Sequence, residues 1–175
     1  MSRRTGALVL SVAATAVALT AGPAQATPAD PGLTHASVTG AARLDYITRE
    51  DDVRFVVDAH ALRKPGTRDP VRSWGTARIT HYFAATKVQL WATGPVDCVT
   101  AGGRSATVSI IVTDTAPEIA DWRGKRMGFS LHSGGPGEAA RVGTTGPVDA
   151  DKLPKCVAPA PELVVLTGGY RVRDR

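Results

Sequence analysis

The chain has 175 residues, a mass of 18.2 kDa, a formal net charge of +5 and a sequence pI near 9.6, which leaves room for one ordinary domain. Hydrophobic residues at 43% and charged residues at 21% supply enough apolar side chains for a packed core and exclude wholesale disorder. Eighteen Gly and twelve Pro punctuate the chain too often for long helices. The lack of Asn and the sixteen Arg against five Lys mark the basic balance as a compositional bias, not a selection for nucleic acid.

Residues 1–26 have the three regions of a secretory signal peptide. Arg3 and Arg4 form a positive start, residues 7–19 an apolar run, and Ala24-Gln25-Ala26 a small-x-small cleavage site. The apolar run is shorter than the roughly 20 residues of a spanning helix and ends at Gly22-Pro23. No Cys follows it to carry a lipid, and no second stretch of spanning length occurs. The expectation is a secreted, extracellular chain of residues 27–175 with no membrane span. Loss of Arg3 and Arg4 takes its charge from +5 to +3. Ser2-Arg3-Arg4 is compatible with the general or the twin-arginine route.

Beyond residue 26 the hydrophobic period is two. An opening strand is expected near residues 41–47. Val53, Phe55, Val57 and Ala59 alternate with Arg54, Val56, Asp58 and His60, a strand with one buried face, closed by Lys64-Pro65-Gly66. Ala77, Ile79, His81 and Phe83 alternate with Arg78, Thr80 and Tyr82. A third clear strand runs from Lys87 to Trp91 and on to Cys98 and Thr100, with a bulge or bend at Gly94-Pro95. After the turn at residues 100–104, Ala106, Val108, Ile110 and Val112 form the next inward set. Residues 126–132, 139–145 and 162–172 complete about eight strands, the last introduced by Ala158-Pro159-Ala160-Pro161. Short turns and no convincing amphipathic helix predict an all-β domain, a single antiparallel β-sandwich or β-barrel.

Cys98 and Cys156 are the chain's two cysteines, and an even pair in an exported protein predicts one disulfide. It would enclose roughly 57 residues and contribute about 4 kcal/mol by the chain-entropy argument. Neither cysteine sits in a nucleophile motif.

Several short motifs together resemble a known group. Asp58-Ala59-His60, Gly75-Thr76-Ala77 leading to Phe83, Gly94-Pro95-Val96-Asp97-Cys98-Val99, Ala106-Thr107-Val108, Gly128-Phe129-Ser130-Leu131-His132 and Pro154-Lys155-Cys156 are similar to the small secreted bacterial proteins labelled Repetin. The resemblance spans most of residues 27–175. It implies a single exported β-domain with a Cys pair and no established activity. Members of that group carry an acidic glycine turn after the fifth or sixth strand, where this chain has Ser133-Gly134-Gly135-Pro136-Gly137-Glu138.

Most catalytic constellations are missing. Ser130 in Gly128-Phe129-Ser130-Leu131-His132 lacks the second glycine of a nucleophile elbow and lies in a strand. There is no GxGxxG, no phosphate-cradling Gly-Lys-Ser/Thr loop and no HExxH, so no cofactor is expected. Asp58 and Asp114 are the nominal carboxylate pair for glycoside hydrolysis, yet they read better as a polar-face residue and a strand-end turn residue. Glu50-Asp51-Asp52 and Asp149-Ala150-Asp151 are not followed by the twelve-residue loop of a calcium site and read as solvated turns.

Strand parity sorts the histidines. His60 shares a face with Arg54 and Asp58, and His132 a face with Arg126, Gly128 and Ser130, whereas His81 lies with Ala77, Ile79 and Phe83. At most two can meet, so no metal site is expected. Asp58 and His60, joined by His132, form the best polar cluster for ligand contact, and His81 is a core histidine that needs partners for its ring nitrogens. Arg171, Arg173 and Arg175, two of them on one face, could touch an anionic polymer, with Arg123, Lys125 and Arg126 elsewhere. A net charge of +3 with few aromatics argues against nucleic acid. The reading favours a binding or interaction module meeting a cell-surface polymer, a small molecule or a protein. The alternative is an enzyme with its site in a β-barrel cavity, which a pocket lined by convergent polar groups would favour. Intact-mass measurement of the secreted protein should give a chain beginning at Thr27; a secreted form retaining Arg3 and Arg4 would contradict the signal assignment.

Overall fold

A computed structural model describes residues 32–175; the expected signal peptide, residues 1–26, and its expected cleavage site lie outside the described residues. The alternating pattern becomes nine strands, β1 (Thr34–Leu44), β2 (Asp52–Arg63), β3 (Pro70–Phe83), β4 (Val88–Gly102), β5 (Ser105–Ile111), β6 (Asp114–Thr115), β7 (Arg126–His132), β8 (Arg141–Thr144) and β9 (Leu163–Asp174). One short 3₁₀ helix, Pro117–Trp122, follows β6. All pairings are antiparallel in the order β3-β2-β1-β9-β8-β7-β5-β4, and β4 returns to β3. Eight strands therefore close a barrel, and β6 adds to β4 as an extra strand. Of the two architectures left open by the sequence, the chain takes the barrel.

Closure depends on β4, which is long enough to serve two neighbours. Its first half pairs with β3 as far as Thr76↔Pro95, and its second half pairs with β5 from Val96 onward. The register slips between Val96 and Cys98, leaving Asp97 as the extra residue of a bulge, which bends a strand and re-aims its side chains. The expected bend lies two residues further along than Gly94-Pro95. Two strands also begin earlier than the alternation suggested. In β1, Ala36 and Val38 face inward between His35, Ser37 and Thr39, too weak a contrast to register as a hydrophobic period, and in β3 Arg72-Ser73-Trp74-Gly75 breaks the pattern although it stays paired with β2.

Phe55 of β2 and Phe129 of β7 come from opposite sides of the barrel and stack across its lumen, with ring centroids 4.2 Å apart. Both are fully buried. Tyr170 of β9 leans in at 6.1 Å from Phe55 and its hydroxyl donates to the Phe55 carbonyl at 3.2 Å; burial pushes this phenol well above its ordinary value. On the side of this pair away from Leu44 and Val53, small residues such as Ala36, Ala59, Ala61 and Ala106 fill the lumen.

Residues 148–162 lie as a strap over the outer face of β5, β7 and β8. Arg126 Nε donates to Asp97 at 2.9 Å, and its Nη1 donates to the carbonyls of Ala150 and Leu153. Ser109 donates to the other Asp97 oxygen at 2.6 Å and accepts the Cys156 N–H at 3.1 Å. The Cys98–Cys156 disulfide, with Cα atoms 5.3 Å apart, joins strap to bulge. Gly128 makes room for the strap, because a Cβ there would sit 1.9 Å from the Val157 carbonyl oxygen. These contacts account for an outward-facing Arg126 at 8% exposure and Ser109 at 0%. Replacing both cysteines by serine should lower stability by about 4 kcal/mol in urea unfolding; an unchanged midpoint would mean that the polar network alone fixes the strap.

Candidate functional site

One end of the barrel is open. There β1 ends, β2 begins, β3 ends and β4 begins, and the side chains that would close a filled core give way to a cavity of about 430 Å³, within the range of small-molecule sites. Its floor and wall are apolar, with Leu44, Val53, Ile79, Leu90 and Met127 among them. The 3₁₀ helix supplies Ile119 and Trp122, and the β1–β2 loop supplies Tyr46 and Ile47. Ile47 is 86% exposed at the rim, an apolar side chain held in water beside an apolar cavity.

The imidazole in the cavity's lining is His81, placed by the inward parity of β3. It stacks on Phe83 two residues later, with centroids 3.7 Å apart, and meets the edge of Tyr46 at 5.1 Å. Its Nε2 lies 2.7 Å from Asp51 Oδ2, while Asp51 Oδ1 accepts the Ala84 N–H at 3.0 Å. The His81 hydrogen bond, then the Ala84 N–H and Thr48, hold the Asp51 carboxyl below its ordinary value of 3.8. The ionised carboxylate accepts the Nε2 proton. When the ring is neutral this leaves Nδ1 as an acceptor.

The sequence placed His81 on the core face and required a partner for its ring nitrogens; the structure supplies Asp51. Asp51 itself was read as part of a solvated acidic turn. The signal was in the register, since Asp52 pairs with Tyr82 and Val53 with His81, which sets a carboxylate just before β2 beside the end of β3.

The expected Asp58, His60 and His132 cluster is brought together only in part. Asp58 Oδ1 is 2.9 Å from His60 Nε2 on the outer face of β2. His132 lies across the barrel on β7, at hydrogen-bond distance from Ser105 (3.0 Å) and 3.2 Å from Glu138, and cannot reach His60. Parity correctly gave these two histidines outward faces but carried no information about which strands are neighbours. His60 instead meets His35 of β1, at 5.4 Å, and Trp74 of β3, at 5.5 Å and nearly parallel. Burial, then His60 and Arg175, lower the His35 pKa from its ordinary 6.5.

Asp58 and Asp114 are not partners either: Asp114 opens β6 and lies 3.5 Å from Arg123. In the acidic runs, Asp52 pairs with Arg54 at 2.8 Å and Asp149 with Lys152 at 2.6 Å. Ser130 donates to the Pro159 carbonyl beneath the strap. Among the described residues there is no group of three or more His, Cys, Asp or Glu arranged to hold a metal ion, and no helix long and apolar enough to cross a membrane.

Comparison with known proteins finds no matching family model, no matching curated protein and no matching solved structure.

A depressed carboxyl stabilises the fold above its unfolded value and loses that contribution as pH falls through the folded value. Asp51→Asn should therefore destabilise the protein at pH 7 and remove part of the stability lost below about pH 3.8. Urea unfolding across that range checks this, and parallel wild-type and variant curves would show that the His81 contact contributes nothing.

Proposed function

We propose that the protein is a secreted β-barrel binding module that takes a small, mainly apolar molecule into the open end of the barrel. The observation that carries this reading is the mainly apolar cavity of about 430 Å³ above the Phe55–Phe129 pair, with His81 at its wall beside Tyr46, Thr80 and Thr144. Apolar surface left facing water is costly at about 25 cal/mol per Å², and an apolar guest recovers that cost. The His81–Asp51 pair adds one directional contact: neutral His81 accepts a hydrogen bond from a hydroxyl or N–H on the guest. Export is supported by the charged, apolar and small-x-small regions of residues 1–26 and by the Cys98–Cys156 bridge, and is in keeping with the resemblance to the Repetin proteins.

An enzyme built in the same cavity is the second reading, favoured by the His81–Asp51 pair. Such a pair activates a side-chain nucleophile when a hydroxyl or thiol is bonded to the imidazole. Among the described residues His81 has Asp51 as its hydrogen-bond partner and no Ser, Thr or Cys, and both cysteines are bridged. The lining therefore suits retention of a guest better than its conversion.

Titration with the neutral fluorescent probe N-phenyl-1-naphthylamine should show saturable 1:1 binding with quenching of tryptophan emission. Ala92→Leu, which fills the cavity from a fully buried lining position, and Leu90→Trp, at a half-buried lining position, should each weaken binding at least tenfold while thermal unfolding stays cooperative. Non-saturable binding, or equal affinity in folded variants, would refute the assignment.

A further inference from the structure

The strap divides the barrel's exterior into two unlike halves. It covers β5, β7 and β8, whereas β9, β1, β2 and β3 form a continuous four-strand face over which no segment of the described residues lies. Register aligns the outward side chains of this face into rows, Arg173–Ser37–His60–Trp74 and Arg171–Thr39–Asp58–Thr76. Arg72 and Arg78 occupy the same outward parity on β3, Arg54 on β2 and Arg43 on β1. Six arginines thus face two aspartates, Asp52 and Asp58.

Those aspartates are already engaged. Asp52 binds Arg54 at 2.8 Å and Arg43 at 3.4 Å, and Asp58 binds His60 at 2.9 Å. Among the described residues no carboxylate lies within ion-pair distance of Arg72, Arg78, Arg171 or Arg173. All four are exposed. They form two rails at the flanks of the face, on β9 and β3, about 14 Å apart by three interstrand spacings. The β3 rail is also pre-positioned: the Arg72 guanidinium lies 5.4 Å from the Trp74 ring and that of Arg78 4.2 Å from the Trp91 ring. Stacking of this kind holds the planar group over the ring while its N–H donors remain directed outward at the edge. Thr39 on β1 lies between the rails, and Thr76 lies within the β3 rail between Arg72 and Arg78.

We propose that this face binds an acidic polysaccharide, whose carboxylates or sulfates pair with the two arginine rails and whose hydroxyls meet Thr39 between them and Thr76 on the β3 rail. Four like charges gathered on one sheet face repel one another, and a polymer that repeats a negative charge along its length relieves that repulsion at several points at once. Guanidinium groups suit this role because each offers two parallel donors to a carboxylate or sulfate. Single-stranded nucleic acid needs open aromatic faces on which bases stack. Here Trp74 is stacked against His60 on one side and carries Arg72 near its ring. A rigid DNA duplex meets a convex sheet face along a single line, reaching one rail and not both. The strap half offers no equivalent surface, since Arg126 is buried on Asp97 and Lys152 is paired with Asp149.

The test is affinity electrophoresis of the full secreted protein through gels containing dextran sulfate or neutral dextran. Dextran sulfate should retard the protein and dextran should not. The exposed pair R171E/R173E should weaken retardation at least tenfold and flatten its salt dependence, whereas K152E/K155E, an equal charge change on the strap, should leave it within twofold. A thermal melt of each variant confirms that it is folded. The proposal fails if dextran sulfate causes no retardation, or if the strap reversal costs as much as the β9 reversal. Tighter binding of duplex DNA or of phosphatidylglycerol vesicles than of dextran sulfate would overturn it in favour of those partners.

Discussion

The contact on which the rest of the architecture depends is the stack of Phe55 on Phe129 across the barrel axis. An eight-stranded barrel has an interior that side chains can just fill or that can hold one small ligand, and this chain does both, in different halves. The two rings meet from opposite strands and close the lumen at mid-height. Beyond them on one side, alanine and valine suffice to fill the taper, and the far end is closed by the Arg63–Asp174 ion pair. On the other side, the inward positions at Leu44, Val53, Ile79 and Met127 are too short to meet across the barrel, so the space stays open. A well-oriented aromatic pair contributes about 0.5–1.5 kcal/mol beyond its area burial, and it plugs the lumen beneath the residues that line the cavity.

The second organising constraint is the bulge in β4. One strand serving two neighbours must bend, and Asp97, expelled by the slip in register, turns its carboxylate outward. A partly buried carboxylate needs compensating partners; Arg126 and Ser109 provide them, and both then recruit the strap through backbone groups. The disulfide fixes the same two points covalently. The strap consumes the polar groups of one half of the exterior and leaves the arginines of the other half in water. Interior cavity and exterior charge are thus separate features, one set by side-chain length and the other by where the strap lies.

Much of this was legible in the sequence. Alternation in β2 and β7 fixed which residues face inward, including Phe55 and Phe129, and the inward sets of β3, with His81, and of β5 followed the same rule. The Cys98–Cys156 bridge followed from the even number of cysteines and the expectation of export. Strand neighbourhood was not legible, because parity assigns a face but not a partner. For that reason His132 was grouped with His60 although β7 lies opposite β2, and His35, which does touch His60, went unnoticed on a strand whose first half alternates too weakly to be seen. The cavity itself depends on how far side chains reach across the lumen, a three-dimensional quantity with no sequence period. Ile119 and Trp122 come from a 3₁₀ turn that the alternation does not announce, and Asp51 sat in a run that looks like any solvated acidic turn.

The central claim is that a mainly apolar chamber lies above the Phe55–Phe129 pair. Xenon occupies apolar cavities without needing any polar contact, so a crystal of the protein held under xenon pressure addresses the claim with no assumption about the natural guest. The account predicts an ordered xenon atom between Met127, Leu90 and Ile119, above the two stacked rings. Side chains collapsed into that space, or a chain of hydrogen-bonded waters filling it in place of xenon, would contradict it.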